Sequence, residues 1–317
     1  MPIVCIGAHD AVAQSAAAVA YPAKTVRIVV PSSPSGGTDL IGRLAAQKVG
    51  EAWGQNVLID NISGGATRIG INAVAKAAAD GHTLLLTTVN FAFAPALYAK
   101  LAYDPVHDFV PIVHIANTVS LLAVHPSLPA RNVAELIALA RARPGELRNG
   151  YGGAGTVGHL VAAMFQSQAR ITLLDVPYKG TGPATTALLS GEIHMLIANM
   201  ASLLPQVRAG RLRGLAVAGA TRAKIMPTLP TIAESGVPGY EYSGWYGLWA
   251  PAKTPATVIT KVNEAFNRVL EDNTVKDRFA ESAIEPVGGA PEKFSAYLAA
   301  EFSKWRKVVQ DAGIKAE

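Results

Sequence analysis

Four short turns carry the residues whose types and spacing can do chemistry: Ser35–Asp39, Ser63–Arg68, Gly152–Gly158 and Lys179–Pro183. Each is rich in glycine or small residues and stands just before a predicted helix. In the first, Ser35-Gly36-Gly37-Thr38-Asp39 follows the β-branched run Val26–Val30. Thr38 or Asp39 can cap the free N–H groups of a helix that carries Leu40, Ile41, Leu44 and Val49 at helical spacing. Unpaired N–H groups, small residues and the positive end of a helix then converge on one point, which suits a carboxylate or a phosphate. A tight strand-to-helix turn that needs glycine for backbone reasons alone is the plainer account of any one of these turns. Several such turns aimed at one crevice, outside the carboxyl ends of a sheet, make a stronger case for a site than any single turn.

Individual side chains sharpen the picture. Arg68 can grip a carboxylate with two parallel hydrogen bonds, or stand as a solvated helix start. Asp39 and Arg43 are spaced i, i+4, so the carboxylate caps a helix or orients a loop beside an anion. His159 falls in a first helical turn and His125 precedes Pro126; either can serve as a base, or as an ordinary hydrogen-bonded residue. Gly153-Ala154-Gly155-Thr156-Val157-Gly158 fits G-x-G-x-x-G, with Asp175 downstream. A dinucleotide fingerprint needs a buried strand in front of it, and Glu146–Gly150 reads as a poor one. A turn whose N–H groups and Thr156 hydroxyl hold a small anion fits as well. Tyr242, Trp245, Tyr246 and Trp249 cluster, as core residues or as a wall on which a ligand stacks. There is no G-x-S-x-G elbow, no H-E-x-x-H and no G-x-x-x-x-G-K loop, so no catalytic residue is assigned.

The elements that position these turns alternate along the chain. Strands are expected at 56–60, 83–88, 120–125, 171–176, 193–197 and 215–218. Helices are expected after each glycine turn, at 133–143 and from Pro255 onward. In the helix after Arg68, Ile69, Ala73, Val74 and Ala77 fall on one face. This alternation predicts α/β layers with largely parallel, buried strands. The length, 317 residues, points to about two domains at ~150 residues each. Half the residues are hydrophobic and 16% are charged, which excludes a disordered chain. The net charge of +5 is spread out with no interleaved aromatics, so no nucleic-acid partner is expected. One cysteine, Cys5, excludes an internal disulfide and a Cys/His zinc site; no metal or cofactor is assigned. No apolar run reaches the roughly 18 residues that span a bilayer. The first 20 residues end Ala18-Val19-Ala20, an A-x-A-like pattern that would be cleaved before Tyr21; a disordered N-terminus is the alternative.

Ordered motifs along the chain resemble one family. Tyr21-Pro22-Ala23-Lys24 leads into Gly36-Gly37-Thr38-Asp39. Asp80-Gly81-His82-Thr83, Pro95-Ala96-Leu97-Tyr98, Gly158-His159-Leu160 and Val176-Pro177-Tyr178-Lys179-Gly180 follow. Then come Ala209-Gly210-Arg211-Leu212-Arg213-Gly214 and Leu229-Pro230-Thr231-Ile232-Ala233-Glu234-Ser235-Gly236. From Tyr21 to the end the chain resembles the Bug-type receptors of tripartite tricarboxylate transporters. The resemblance implies a two-lobed type II periplasmic binding-protein fold, an α/β fold with the ligand cleft between the lobes. Residues 1–20 would be the signal-peptide remnant or disordered N-terminus, 21–120 plus 247–317 lobe 1, and 121–246 lobe 2. It implies a soluble, exported, periplasmic receptor, expected as a monomer, that passes a small organic carboxylate to membrane transporter subunits. The candidate ligand-binding residues are Ser35, Gly36, Gly37, Thr38, Asp39, Arg68 and Thr88 from lobe 1, and Gly155, Thr156, Val157, His159 and Asn199 from lobe 2. Thr67-Arg68 replaces the family's usual Gly-Asn, which assigns Arg68 to the distal carboxylate of a diacid. The competing expectation is an enzyme that uses the Gly153–Gly158 turn for a nucleotide cofactor.

Overall fold

The computed structural model describes residues 21–311 except 33, 35, 36 and 154. The expected export signal and the Ser35 and Gly36 positions lie outside the described residues. The first half of the chain runs β1 (Val26–Val30), α1 (Gly37–Trp53), β2 (Val57–Asn61), α2 (Arg68–Ala75), β3 (Thr83–Thr88) and α3 (Asn90–Leu97). A long strand, β4 (Phe109–Val124), leads into α4 (Val133–Ala142), β5 (Arg148–Tyr151), α5 (Val157–Ala169), β6 (Leu174–Pro177) and α6 (Thr181–Leu189). Next come β7 (Met195–Asn199), α7 (Met200–Arg208) and β8 (Arg213–Val217). The chain returns through β9 (Ser243–Pro251) and finishes with α8 (Ala256–Glu271), α9 (Asn273–Glu281), β10 (Ile284–Pro286) and α10 (Pro291–Asp311).

Strand pairing follows the order β2-β1-β3-β9-β4-β7-β5-β6, with β8 and β10 also on β4. The outer strands are parallel: β1 with β2 and β3, β5 with β6 and β7. The middle is antiparallel, since β9 runs against β3 and β4, and β4 runs against β7, β8 and β10. The largely parallel sheet expected from the alternation is therefore corrected to a mixed one. The physical reason is β4 itself. Its first part, up to Val119, pairs with β9, and from Ser120 onward it pairs with β7. One strand thus belongs to both halves, and the sixteen residues of β4 extend well before the 120–125 segment that the sequence marks.

Packing follows the two-residue period of the strands. Val26, Ile28 and Val30 face α1 and α8 with Leu84 and Leu86. Val29 and Leu85 face the other way, onto Ile71 and Val74 of α2. Both faces are covered, which explains why these strands read as unbroken apolar runs. Two local expectations change. In α2 the buried side is Gly70, Ile71 and Val74, and Ile69 stays exposed. Residues 148–151 do form a strand, with Asn149 fully buried because its Nδ2 donates to Asp175 Oδ1 at 2.8 Å.

Candidate functional site

A cavity of about 170 Å³ opens where the two halves of the sheet meet on β4. Its floor is the crossing region: Thr118 and Ser120 of β4, Tyr242, and Gly244, Trp245 and Tyr246 of β9. One wall is Thr88 and Val89, where β3 ends and α3 begins. The facing wall is Gly152, Val157, Gly158 and Val161 at the start of α5, Thr181 at the start of α6, and Leu196 to Asn199 at the end of β7. The carboxyl ends of β3, β5 and β7 all stop here, and the starts of α3, α5, α6 and α7 face the same space. The N–H groups at such helix starts have no partners within their own helix.

No charged side chain is among the described lining residues. Polarity comes instead from hydroxyls on Thr88, Thr118, Ser120, Thr181, Tyr242 and Tyr246, and from the Asn199 amide. Asn199 Oδ1 accepts from the Ala201 N–H at 3.0 Å, which caps α7 and leaves the amide nitrogen as the donor on the cavity side. Burial pushes the Tyr246 phenol up to about 12 and the Tyr242 phenol well above its ordinary value. Both phenols stay protonated at neutral pH and can donate hydrogen bonds to an anion.

The sequence-predicted residues divide into three groups. Thr88, Val157 and Asn199 line the cavity. Gly37 abuts it: a Cβ on Gly37 would sit 2.8 Å from the Tyr246 hydroxyl, so the start of α1 can approach the floor only as glycine. Gly155, Thr156 and His159 form the shoulder beside α5. There the Thr156 hydroxyl, expected on an anion, donates to the Gly153 carbonyl at 2.7 Å. His159 Nδ1 accepts the Gly155 N–H at 3.3 Å, and its ring stacks on Tyr151 at 4.7 Å. Burial lowers the His159 pKa, consistent with a neutral ring that accepts this bond.

The third group stands apart. Thr38 is buried in the first turn of α1. Asp39 is buried beside it and takes the Arg43 Nε–H at 3.0 Å, an ion pair along α1. Arg68 does not line the cavity. Its Nε donates to the Gly65 carbonyl at 2.7 Å, and its guanidinium lies 3.9 Å over the Tyr98 ring. The Tyr98 hydroxyl lies 3.6 Å from where a Gly155 Cβ would be, so Tyr98, with Arg68 over its ring, stands against the α5 shoulder. Of the aromatic cluster, Tyr242, Trp245 and Tyr246 line the cavity, whereas Trp249 packs on Phe91 and Phe294 in the core. Thr118 and Ser120 were not singled out from sequence, and Thr181 was marked only as part of the Lys179–Pro183 turn. The first two sit in mid-strand, where no turn marks them; their signal is the polar Asn117-Thr118 pair and Ser120 within an apolar run.

The nucleotide expectation meets an obstacle in the side chains. Asp175, the acid such a fingerprint would use for a ribose, instead accepts Asn149 Nδ2 at 2.8 Å and Gln166 Nε2 at 3.0 Å.

Two lobes around a small, uncharged, donor-rich cavity define a solute-binding protein. The chain belongs to the tripartite tricarboxylate transporter receptor family, whose model matches residues 41–314. It is 34% identical to the protein BugT of Bordetella pertussis over 318 residues, 99% of this chain and 98% of that one. Among solved structures it is similar to Rpa4515 of R. palustris with adipate: 38% identity, TM-score 0.85, covering 93% of this chain and 99% of that one. It is also similar to MatC from Rhodopseudomonas palustris with bound malate: 30% identity, TM-score 0.81, covering 91% and 100%. The family is one of transporter receptors, and this chain is a receptor, not an enzyme. Among the described residues no helix is long and apolar enough to cross a membrane.

Proposed function

We propose that this receptor captures a short organic dicarboxylate in the cavity on β4 and delivers it to transporter subunits in the membrane. The observation that carries this reading is the cavity wall: helix starts and hydroxyls from both halves of the sheet, with no charged side chain among the described lining residues. Helix N-termini and fixed hydroxyl donors hold anionic oxygens without a counter-charge. The acids named with two similar structures, adipate and malate, belong to this class. Thr88, Val157 and Asn199 contact the ligand together with Thr118, Ser120, Thr181, Tyr242 and Tyr246. The Ser35–Asp39 turn supplies backbone donors from lobe 1, and the Gly155–His159 shoulder does so from lobe 2. Arg68 draws the incoming diacid to the rim. Lobe 1 comprises 21–120 plus 247–317 and lobe 2 comprises 121–246. The two chain crossings between them act as the hinge on which the cleft closes. The receptor works as an exported periplasmic monomer.

A thermal-shift and calorimetric screen of the chain from Tyr21 onward tests this. The panel holds adipate, malate, tricarboxylates, aromatic acids and, as controls, nucleotides. A ligand at a hundredfold excess over its dissociation constant stabilises the fold by ~2.7 kcal/mol. One class of carboxylate should give that shift. A panel in which no acid acts, with no acid released on denaturing the purified protein, refutes the reading.

A further inference from the structure

We propose that Glu301, on α10 behind the cavity, is a positioning residue for ligand selection: it holds Trp245 so that the cavity meets only the carbon of the indole. This rests on the reading of the cavity as the ligand site. Glu301 is 5% exposed. Its Oε2 accepts the Trp245 Nε1–H at 2.7 Å and the Trp305 Nε1–H at 3.0 Å. Its other oxygen lies 3.7 Å from Lys304 Nζ. Around these groups stand Trp249, Phe294, Tyr297 and His114, all ring neighbours of Trp245. An acidic side chain buried among aromatic rings is costly unless its hydrogen bonds are made. Packing alone would be served by an apolar residue.

The indole explains what the carboxylate adds. Trp245 lines the cavity, and its single polar atom is the nitrogen bound to Glu301. Rotation about the outer side-chain torsion of tryptophan has two broad, roughly equivalent settings. Ring packing and the hydrogen bond to a fixed acceptor together select one. Glu301 thereby turns the N–H away from the ligand and gives the cavity an apolar panel among hydroxyl donors. A methylene segment fits against that panel, and a hydroxyl placed there finds no partner.

The test uses adipate, a plain methylene chain, and malate, which carries a hydroxyl, with calorimetry on the wild type, E301Q, E301M and W305F. E301Q keeps an acceptor oxygen and should bind like the wild type. E301M should weaken adipate by about tenfold, the equivalent of one lost hydrogen bond, and narrow the adipate-to-malate ratio. W305F loosens the packing of α10 but leaves the Trp245 bond in place, so it should lower the melting temperature with the ratio unchanged. Equal affinities in E301M and the wild type, or the same change in W305F, overturn the proposal. If E301M does not fold, the same ratio is read on E301A, whose short side chain cannot reach the Trp245 N–H, and an unchanged ratio there overturns it equally. If the wild type binds neither acid, the proposed ligand class fails. The positioning role is then read from exchange of the Trp245 indole proton, protected in E301Q and exposed in E301M; protection in both refutes it.

Discussion

His114→Gln should remove an acid-sensitive weakness from the centre of the fold. His114 lies in β4, 6% exposed, with its ring 4.6 Å from Tyr297 and 5.3 Å from Phe294. Its Nε2 is 2.8 Å from Asn117 Oδ1. Burial pushes its pKa down from 6.5 to about 4; the Asn117 hydrogen bond opposes the shift and Lys293 adds to it. The folded state therefore holds the proton less tightly than the unfolded chain. The contribution to stability is complete above pH 6.5 and is lost as the pH falls from there toward 4. At 1.36 kcal/mol per unit, this lowering is worth about 3 kcal/mol in full, and about 2–3 kcal/mol by pH ~4.5. Urea unfolding of the wild type and H114Q at about pH 7 and about pH 4.5 measures it. Burial also lowers the pKa values of His159 and His194, but both titrate in each protein and cancel in the comparison. The wild type should lose about 2–3 kcal/mol more than H114Q on acidification. Equal losses would mean that residue 114 is protonated within the folded state, and would refute the argument.

Two further outcomes follow from the cavity. Asn199→Asp retains the acceptor for the Ala201 N–H but adds a negative charge to the wall. At roughly 5 Å and an effective dielectric near 20 that charge opposes a carboxylate by about 3 kcal/mol, so calorimetric affinity should fall at least a hundredfold with little change in melting temperature. An unchanged affinity removes Asn199 from the site. Gly37→Ala places a methyl 2.8 Å from the Tyr246 hydroxyl and should cost about 1–3 kcal/mol of stability. Adding Tyr246→Phe should recover most of that loss, and a double variant no more stable than G37A would locate the strain elsewhere.

What could be read from the sequence was what leaves a local trace. The Val26–Val30 run and the glycine turn before α1 are local signals, and strand and helix lie where those signals put them. Thr88, Val157 and Asn199 were accessible for the same reason, because they sit at element ends where ligands gather in α/β sheets. Thr118 and Ser120 were not, because a hydroxyl in mid-strand looks the same whether it faces a cavity or a neighbour. The Thr156 hydroxyl illustrates the opposite error. Its position before α5 fits an anion contact, yet the nearest acceptor, Gly153 O, takes its proton. α3 was missed because Pro95 lies within it, where proline ordinarily argues against a helix. Glu301 reads from sequence as one more polar position on a helix. Only the approach of Trp245, far away in sequence, shows that its carboxylate is inside.

The return of the chain through β9 also sets a timetable. β3 cannot gain its antiparallel neighbour until Trp249 and Tyr246 exist to meet Leu85 and Thr88. Trp305 and Val309, which share a core cluster with Val29 and Ile71, arrive later still. At synthesis rates of roughly 5–20 residues per second, the first three strands wait on the order of 10–30 s for their partner. Closing so long a loop is also intrinsically slow. The intervening strands β5, β6 and β7 pair in parallel among themselves without β9. Until β9 is made, the edge of β3 that it covers has no partner strand.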